Sequence, residues 1–149
     1  MIKLERTNSE NHDFRRLVKL LDAALVIVDG KDHAFYSQFN KIDNIKYVIV
    51  AYEDDKAVGC GAIKEYGQDI MEVKRMYVSP DNRNKGIASK ILNELEKWAY
   101  ELSYGKCILE TGKRQNEAIG LYKKSGYKLI PNYGQYANVE NSLCFEKIL

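Results

Sequence analysis

Arg83, Lys85 and Gly86 stand in the run Arg83-Asn84-Lys85-Gly86-Ile87-Ala88, between a hydrophobic segment that stops at Ser79-Pro80 and a periodic apolar stripe that begins at Ile87. Residues of these types at such a junction can hold an anion. The first amide N–H groups of a helix have no carbonyl partners, and the aligned peptide dipoles make that end partly positive. Phosphate is the usual occupant. Gly86 has no Cβ to keep a ligand from the backbone, and Arg83 and Lys85 can add side-chain charge. The plainer alternative is a turn whose glycine merely ends a loop.

The elements that would position this junction can be read from hydrophobic period. Val73 to Val78 predicts a central strand, but strict alternation slips there: Val73 is out of phase with Met76 and Val78. An extra residue near Lys74-Arg75, a bulge, would produce that slip and expose backbone N–H groups. After the turn, Ile87, Ile91, Leu92, Leu95, Trp98, Ala99 and Leu102 predict one amphipathic helix, stopped at Gly105. Cys107-Ile108-Leu109 then starts a buried strand ending at Glu110-Thr111-Gly112.

Upstream, Ile2-Lys3-Leu4 reads as a first strand, and Thr7-Asn8-Ser9-Glu10 offers caps for a helix carrying Phe14, Leu17, Val18, Leu21 and Leu25. A second short helix is expected within Lys31 to Ile42. Tyr47 to Tyr52 and Ala57 to Ile63 predict a hairpin turning at Glu53-Asp54-Asp55-Lys56. Gly59 and Gly61 inside its second strand suggest close approach of another element. They do not read as a dinucleotide loop, because no helix follows. Asn116 to Lys124 predicts a last helix with Gly126 as its stop, and Tyr127 to Ile130 and Leu143 to Ile148 complete the sheet. The polar, aromatic connection from Pro131 to Asn141 is long enough to be functional.

The 149 residues, 45% hydrophobic and 30% charged, suit one folded domain spanning 1–149. Twenty-three basic against 21 acidic side chains leave a net charge of +2, too near neutral to argue for nucleic acid or a membrane surface. Cys60, Cys107 and Cys144 are far apart and set among apolar residues, as buried free thiols of a reducing compartment would be. No metal is expected; His33 has no neighbouring Cys or His. The N-terminus lacks the long apolar run of a secretion signal, so a cytoplasmic location is the default expectation.

The pattern Arg/Gln-x-x-Gly-x-Gly/Ala, filled by Arg83, Gly86 and Ala88, resembles the pyrophosphate-binding motif of the GNAT superfamily of N-acetyltransferases. A second stretch, Asn116-Glu117-Ala118-Ile119-Gly120-Leu121-Tyr122-Lys123-Lys124-Ser125-Gly126-Tyr127, is similar to that family's downstream motif in Asn116, Leu121, Tyr122, Gly126 and Tyr127, with Ala118 displaced. The resemblance covers almost the whole chain. It implies an α/β (α+β) fold with a mixed, mostly antiparallel sheet of six to seven strands, a splayed central strand and about four flanking helices. It also implies acetyl transfer from acetyl-CoA to a primary amine, in a small molecule or peptide, by direct attack through a tetrahedral intermediate.

The resemblance further implies site residues. Amides of Asn84, Lys85, Gly86, Ile87, Ala88 and Ser89 would hold the pyrophosphate, with Arg83 at its edge. Backbone of Met76, Tyr77 and Val78 would meet the pantetheine arm and stabilise charge on the thioester oxygen. Asn116 would also bond the arm, and Lys123 or Lys124 could reach the 3′-phosphate. Tyr122 would protonate the leaving thiolate; the alternative is a core tyrosine. Glu72 is the first choice for the base that deprotonates the amine, with Glu110 second, unless Glu72 simply pairs with Lys74. His33, Tyr36, Tyr133, Tyr136 and Asn141 are candidates for the acceptor pocket, although packing against the sheet would explain the early aromatics as well. No acidic pocket for a polyamine is evident. A catalytically silent acyl-CoA sensor with the same loop is the competing reading, and a homodimer is possible, as dimers are common in the family.

Overall fold

A computed structural model describes residues 1–39 and 44–149. Its strands are β1 (Ile2–Thr7), β2 (Tyr47–Glu53), β3 (Lys56–Gly67), β4 (Ile70–Val78), β5 (Lys106–Gly112), β6 (Lys128–Ile130) and β7 (Ser142–Ile148). Its α-helices are α1 (His12–Asp29), α2 (His33–Ser37), α3 (Ile87–Glu101) and α4 (Asn116–Lys124), so three long helices and one short one flank the sheet. Among the described residues the seven strands lie in the order β1-β2-β3-β4-β5-β7-β6, and β4 and β5 alone run parallel. The expected mixed, mostly antiparallel sheet is therefore present.

Two layers of apolar side chains cover the sheet. Ile91, Leu92, Leu95 and Ala99 of α3 pack with Ile49, Val58, Met71, Val73, Val78 and Tyr122 on one face. Phe14, Leu17 and Val18 of α1 pack with Val48, Val50, Cys60, Ala62 and Tyr77 on the other. The cap of α1 is Asn11, whose side chain accepts from the Phe14 amide, a little past the expected Thr7-Glu10 stretch. Asn8 instead accepts from the Glu10 amide and forms a turn. The helix also continues to Asp29, beyond the apolar periodicity that ended at Leu25. Of the second helix expected between Lys31 and Ile42, His33–Ser37 is helical, and residues 40–42 lie outside the described residues.

The slip in β4 is real. Ala62 pairs with Lys74 and Cys60 with Tyr77, so Gly61 alone faces Arg75 and Met76. Arg75 takes up the extra residue with φ of 58°. Met71, Val73, Met76 and Val78 thereby all meet the α3 layer. Arg75 is 6% exposed and ion-paired with Asp22 of α1, which ties that helix to the bulge.

Gly59 and Gly61 admit α3, as their positions suggested. A Cβ on Gly61 would stand 2.5 Å from Met76 Sδ, 2.9 Å from Ile91 Cγ2 and 3.0 Å from Leu95 Cδ1. Gly61→Ala is expected to destabilise the protein by about 1–3 kcal/mol, the usual cost of overpacking a core, measured by urea unfolding. An unchanged midpoint would mean that α3 sits less tightly on β3 than described.

Candidate functional site

The site begins where two strands part. β4 and β5 pair only through Ile70 with Lys106, Met71 with Cys107 and Glu72 with Ile108, although β4 runs on to Val78 and β5 to Gly112. Past Glu72 the bulge at Arg75 turns β4 away. The edge of Met76, Tyr77 and Val78 that faces β5 is left without a strand partner, while Tyr77 and Val78 stay paired with Cys60 and Gly59 of β3 on the other side.

At the end of β4 the chain passes through a short 3-10 turn, Pro80–Asn82, into α3. Asn84 has φ of 64° and Gly86 φ of 78°, and Gly86 caps the helix. These two left-handed residues curl the loop, a backbone form that can gather successive amides around an anion. Lys90 is the first residue of α3 to return its N–H to the loop, at 3.1 Å from the Gly86 carbonyl. Among the described residues, the amides of Asn84 to Ser89 have no backbone acceptor. A Cβ on Gly86 would meet nothing within 4 Å, so no side chain crowds the loop at that point.

Arg83 lies beside this ledge. Its Nε donates to the Val78 carbonyl at 2.9 Å, and its guanidinium stands 5.7 Å from the centre of the Tyr77 ring. It braces the strand end against the loop. Lys85 is exposed, 3.6 Å from Glu53. Asn116 opens α4 and is exposed, as are Lys123 and Lys124 in its last turn.

On the face covered by α1 and α2, long-range folding assembles a largely buried polar group beside the parted strands. Asn141 Nδ2 donates to the Tyr36 hydroxyl at 3.2 Å, and Tyr36 lies 2.8 Å from Ser142 Oγ. Ser142 donates to Glu110 Oε2 at 2.7 Å. With one proton per hydroxyl, the chain runs Asn141 to Tyr36 to Ser142 to Glu110. Burial, before any neighbouring charge, pushes the Glu110 carboxyl up to about 7. Asp29 and Glu72 push in the same direction, while the Ser142 hydrogen bond and Lys74 oppose it.

Glu72, 6% exposed, is held differently. Its Oε2 accepts from the Tyr133 hydroxyl at 2.6 Å, and Lys74 Nζ stands 3.8 Å from its Oε1. Lys74 also donates to the Phe39 carbonyl at 2.9 Å, and burial lowers its pKa. The Glu72–Lys74 pairing weighed from sequence is therefore present. Tyr36 and Tyr136 form a small core with Cys144, against which Phe35, Phe39 and Tyr133 pack. Four of the five acceptor-pocket candidates, Tyr36, Tyr133, Tyr136 and Asn141, come together here. His33 opens α2, four residues after Asp29 closes α1.

Tyr122 sits across the sheet, in the α3 layer, 5.8 Å ring to ring from Tyr127 and 6.3 Å from Phe145. Its hydroxyl has no hydrogen-bond partner among the described residues. Burial, and secondarily Glu110, raise its pKa, so the phenol stays protonated at any neutral pH. All three cysteines are buried and free, and burial raises Cys60 to about 12. No described helix is long and apolar enough to cross a membrane.

Sequence reasoning missed Asp29, Lys74 and Ser142 as members of this site. Lys74 is expected from sequence as the place of the slip and as a possible ion-pair partner of Glu72, not as part of the acceptor site. Ser142 and Asp29 carry no signal of period or motif, since what places them is the β5–β7 register and the far end of α1.

A sheet whose only parallel pair parts beside a bulge, with a curled amide loop at the opening, defines the acetyltransferase architecture of the GNAT type. The model of the acetyltransferase (GNAT) family matches residues 14–127, and the chain belongs to that family. It is 37% identical over 106 residues to an IAA acetyltransferase of Azospirillum brasilense, covering 68% of this chain and 67% of that one. It is 32% identical over 101 residues to an uncharacterised N-acetyltransferase of Bacillus subtilis, covering 66% and 67%. Among solved structures, a Klebsiella pneumoniae protein described as an acyl-CoA N-acyltransferase superposes with a TM-score of 0.84 at 26% identity, over 100% of this chain and 98% of that one. A Thermoplasma acidophilum N-acetyltransferase, solved in complex with coenzyme A, shares the fold with a TM-score of 0.74 at 17% identity, over 100% and 99%.

Proposed function

We propose that the protein transfers the acetyl group of acetyl-CoA to a primary amine. The observation that carries this is the amide ledge at 84–89 following directly on β4, whose edge past Glu72 is unpaired from β5, the strand that carries the half-buried Glu110 carboxyl, pushed up to about 7. The residues present fit the donor. Six amides without backbone acceptors suit a diphosphate, and the unpaired edge of Met76, Tyr77 and Val78 suits an amide-bearing arm.

The acetyl thioester supplies the electrophile. The chain's own groups have three tasks. First, an alkyl ammonium with a pKa of about 10.4 must lose a proton before it attacks. Glu110 takes it: at neutral pH the carboxyl is near half-ionised, and Ser142 holds it in place. Glu72 was the first choice from sequence, but it is occupied by Tyr133 and Lys74, so its role is to orient Tyr133 at the pocket wall. Second, an amide of the unpaired β4 edge faces the charge developing on the thioester oxygen. Third, as the C–N bond forms and the C–S bond breaks, Tyr122 gives its proton to the departing thiolate.

The experiment is a thiol-release assay with acetyl-CoA and a panel of amines. Acetylated product in step with thiol supports the reading. Folded protein that binds CoA but releases thiol with none of the amines would make it a silent CoA-binding module instead.

A further inference from the structure

Arg75 stands inside β4, yet its φ is 58°. A residue that carries a Cβ seldom keeps that left-handed form unless its surroundings impose it, and such residues gather at functional sites. Met76, Tyr77 and Val78 follow at once, the stretch whose edge toward β5 has no strand partner. The conformation of Arg75 therefore sets the direction in which those amides leave the bulge.

The contacts that impose it are few. Lys74 and Arg75 are consecutive, yet both turn to the face of α1 and α2: Lys74 Nζ donates to the Phe39 carbonyl at 2.9 Å, and the Arg75 guanidinium donates to Asp22 of α1. Met76 turns the other way, into the α3 layer. Cys60 Sγ of β3 lies 3.5 Å from the Arg75 carbonyl, but a thiol is a weak donor. The Arg75 side chain is 2% exposed, its Nε is buried without a partner, and among the described residues Asp22 is its only ion-pair partner. The Asp22 side chain is 48% exposed. One end of the pair is dry and the other is wet.

We propose that Arg75 and Asp22 are positioning residues for acetyl transfer: their ion pair fixes the bulge, and with it the amide of the unpaired β4 edge that meets the thioester oxygen. The inference rests on the acetylation reading above. The pair acts through the backbone between Arg75 and Met76, and when it is broken the bulge is free to leave the left-handed form.

Arg75→Met tests this most cleanly. It removes the charge, keeps an unbranched apolar side chain in the buried place, and leaves Asp22 where water can solvate it, so no buried charge is stranded. Steady-state kinetics with an amine that wild type acetylates are expected to show kcat lower by about tenfold to a hundredfold, since a preorganised donor is loosened rather than lost. The KM for acetyl-CoA is expected to stay near wild type, because the ledge at 84–89 is untouched and the lost contact belongs to the transition state. Asp22→Asn should lower kcat similarly, and the double variant should be no slower than Arg75→Met, as for two residues acting as one unit. A wild-type kcat in Arg75→Met, whatever its melting temperature, overturns the proposal; so do losses that multiply in the double variant, or failure of both single variants to fold, which would make the pair a requirement of folding only. A second readout needs no turnover: in Arg75→Met the backbone amide resonances of Met76 and Tyr77 should move or broaden while those of Asn84 to Ser89 stay in place, and unmoved resonances at Met76 and Tyr77 reject the positioning role. If wild type releases thiol with none of the amines, the acetylation reading fails by itself, and these resonances still decide whether the pair holds the bulge.

Discussion

Glu110→Gln is expected to abolish most activity while making the protein more stable at alkaline pH. A positioned general base contributes about 10²- to 10⁴-fold, so kcat/KM at pH 7 should fall by that order. The wild-type profile of kcat/KM should show an acidic limb near pH 7, the value to which burial pushes the Glu110 carboxyl, and the variant should lose it. Gln keeps an oxygen for the Ser142 hydroxyl, so the scaffold should remain.

The stability effect has a definite sign. The folded protein holds the Glu110 proton to about pH 7, above the ordinary carboxylate range. The contribution of that carboxyl is fully present below its unfolded pKa and is lost as pH rises through 7. Gln has no such loss. The variant should therefore gain on wild type between about pH 4.5 and 7 and hold a constant advantage above, at most about 3 kcal/mol. Urea unfolding at pH 5 and pH 8 measures it. Equal stability at both pH values would mean that Glu110 is better solvated than its surroundings indicate.

Tyr122→Phe carries the second large effect. The substitution removes one hydroxyl that has no bonded partner, so the melting temperature should barely move. Loss of the acid should lower kcat about 10²-fold, with the KM for acetyl-CoA little changed, because the proton is delivered only as the C–S bond breaks. A variant with wild-type kcat would reduce Tyr122 to a member of the α3-side core, where it packs on Tyr127 and Phe145.

Much of this architecture was legible in the sequence, for local reasons. The phase slip between Val73 and Met76 marked the bulge because strand alternation is strict, and one residue too many reverses every side chain after it. Gly59 and Gly61 marked the approach of α3, and Gly86 and Gly126, with φ of 78° and 92°, marked the start of α3 and the stop of α4. The acceptor side was not legible in the same way. Tyr36, Glu110 and Ser142 are joined by hydrogen bonds across 106 and 32 positions of sequence, and no period or motif links them. The buried carboxylates Asp29 and Glu72 and the half-buried Glu110 were invisible as a group, which is why no acidic pocket was expected. The order of Glu72 and Glu110 as candidate bases also depended on partners, Tyr133 for one and Ser142 for the other, that only folding supplies.

The most direct measurement is a titration of the folded protein with CoA, followed by the NMR resonances of its backbone amides. The account predicts saturable shifts centred on Asn84 to Ser89 and on Met76 to Val78, with the β6–β7 edge unaffected. Absence of binding, or saturable binding that leaves the amides of 84–89 unmoved, would contradict it.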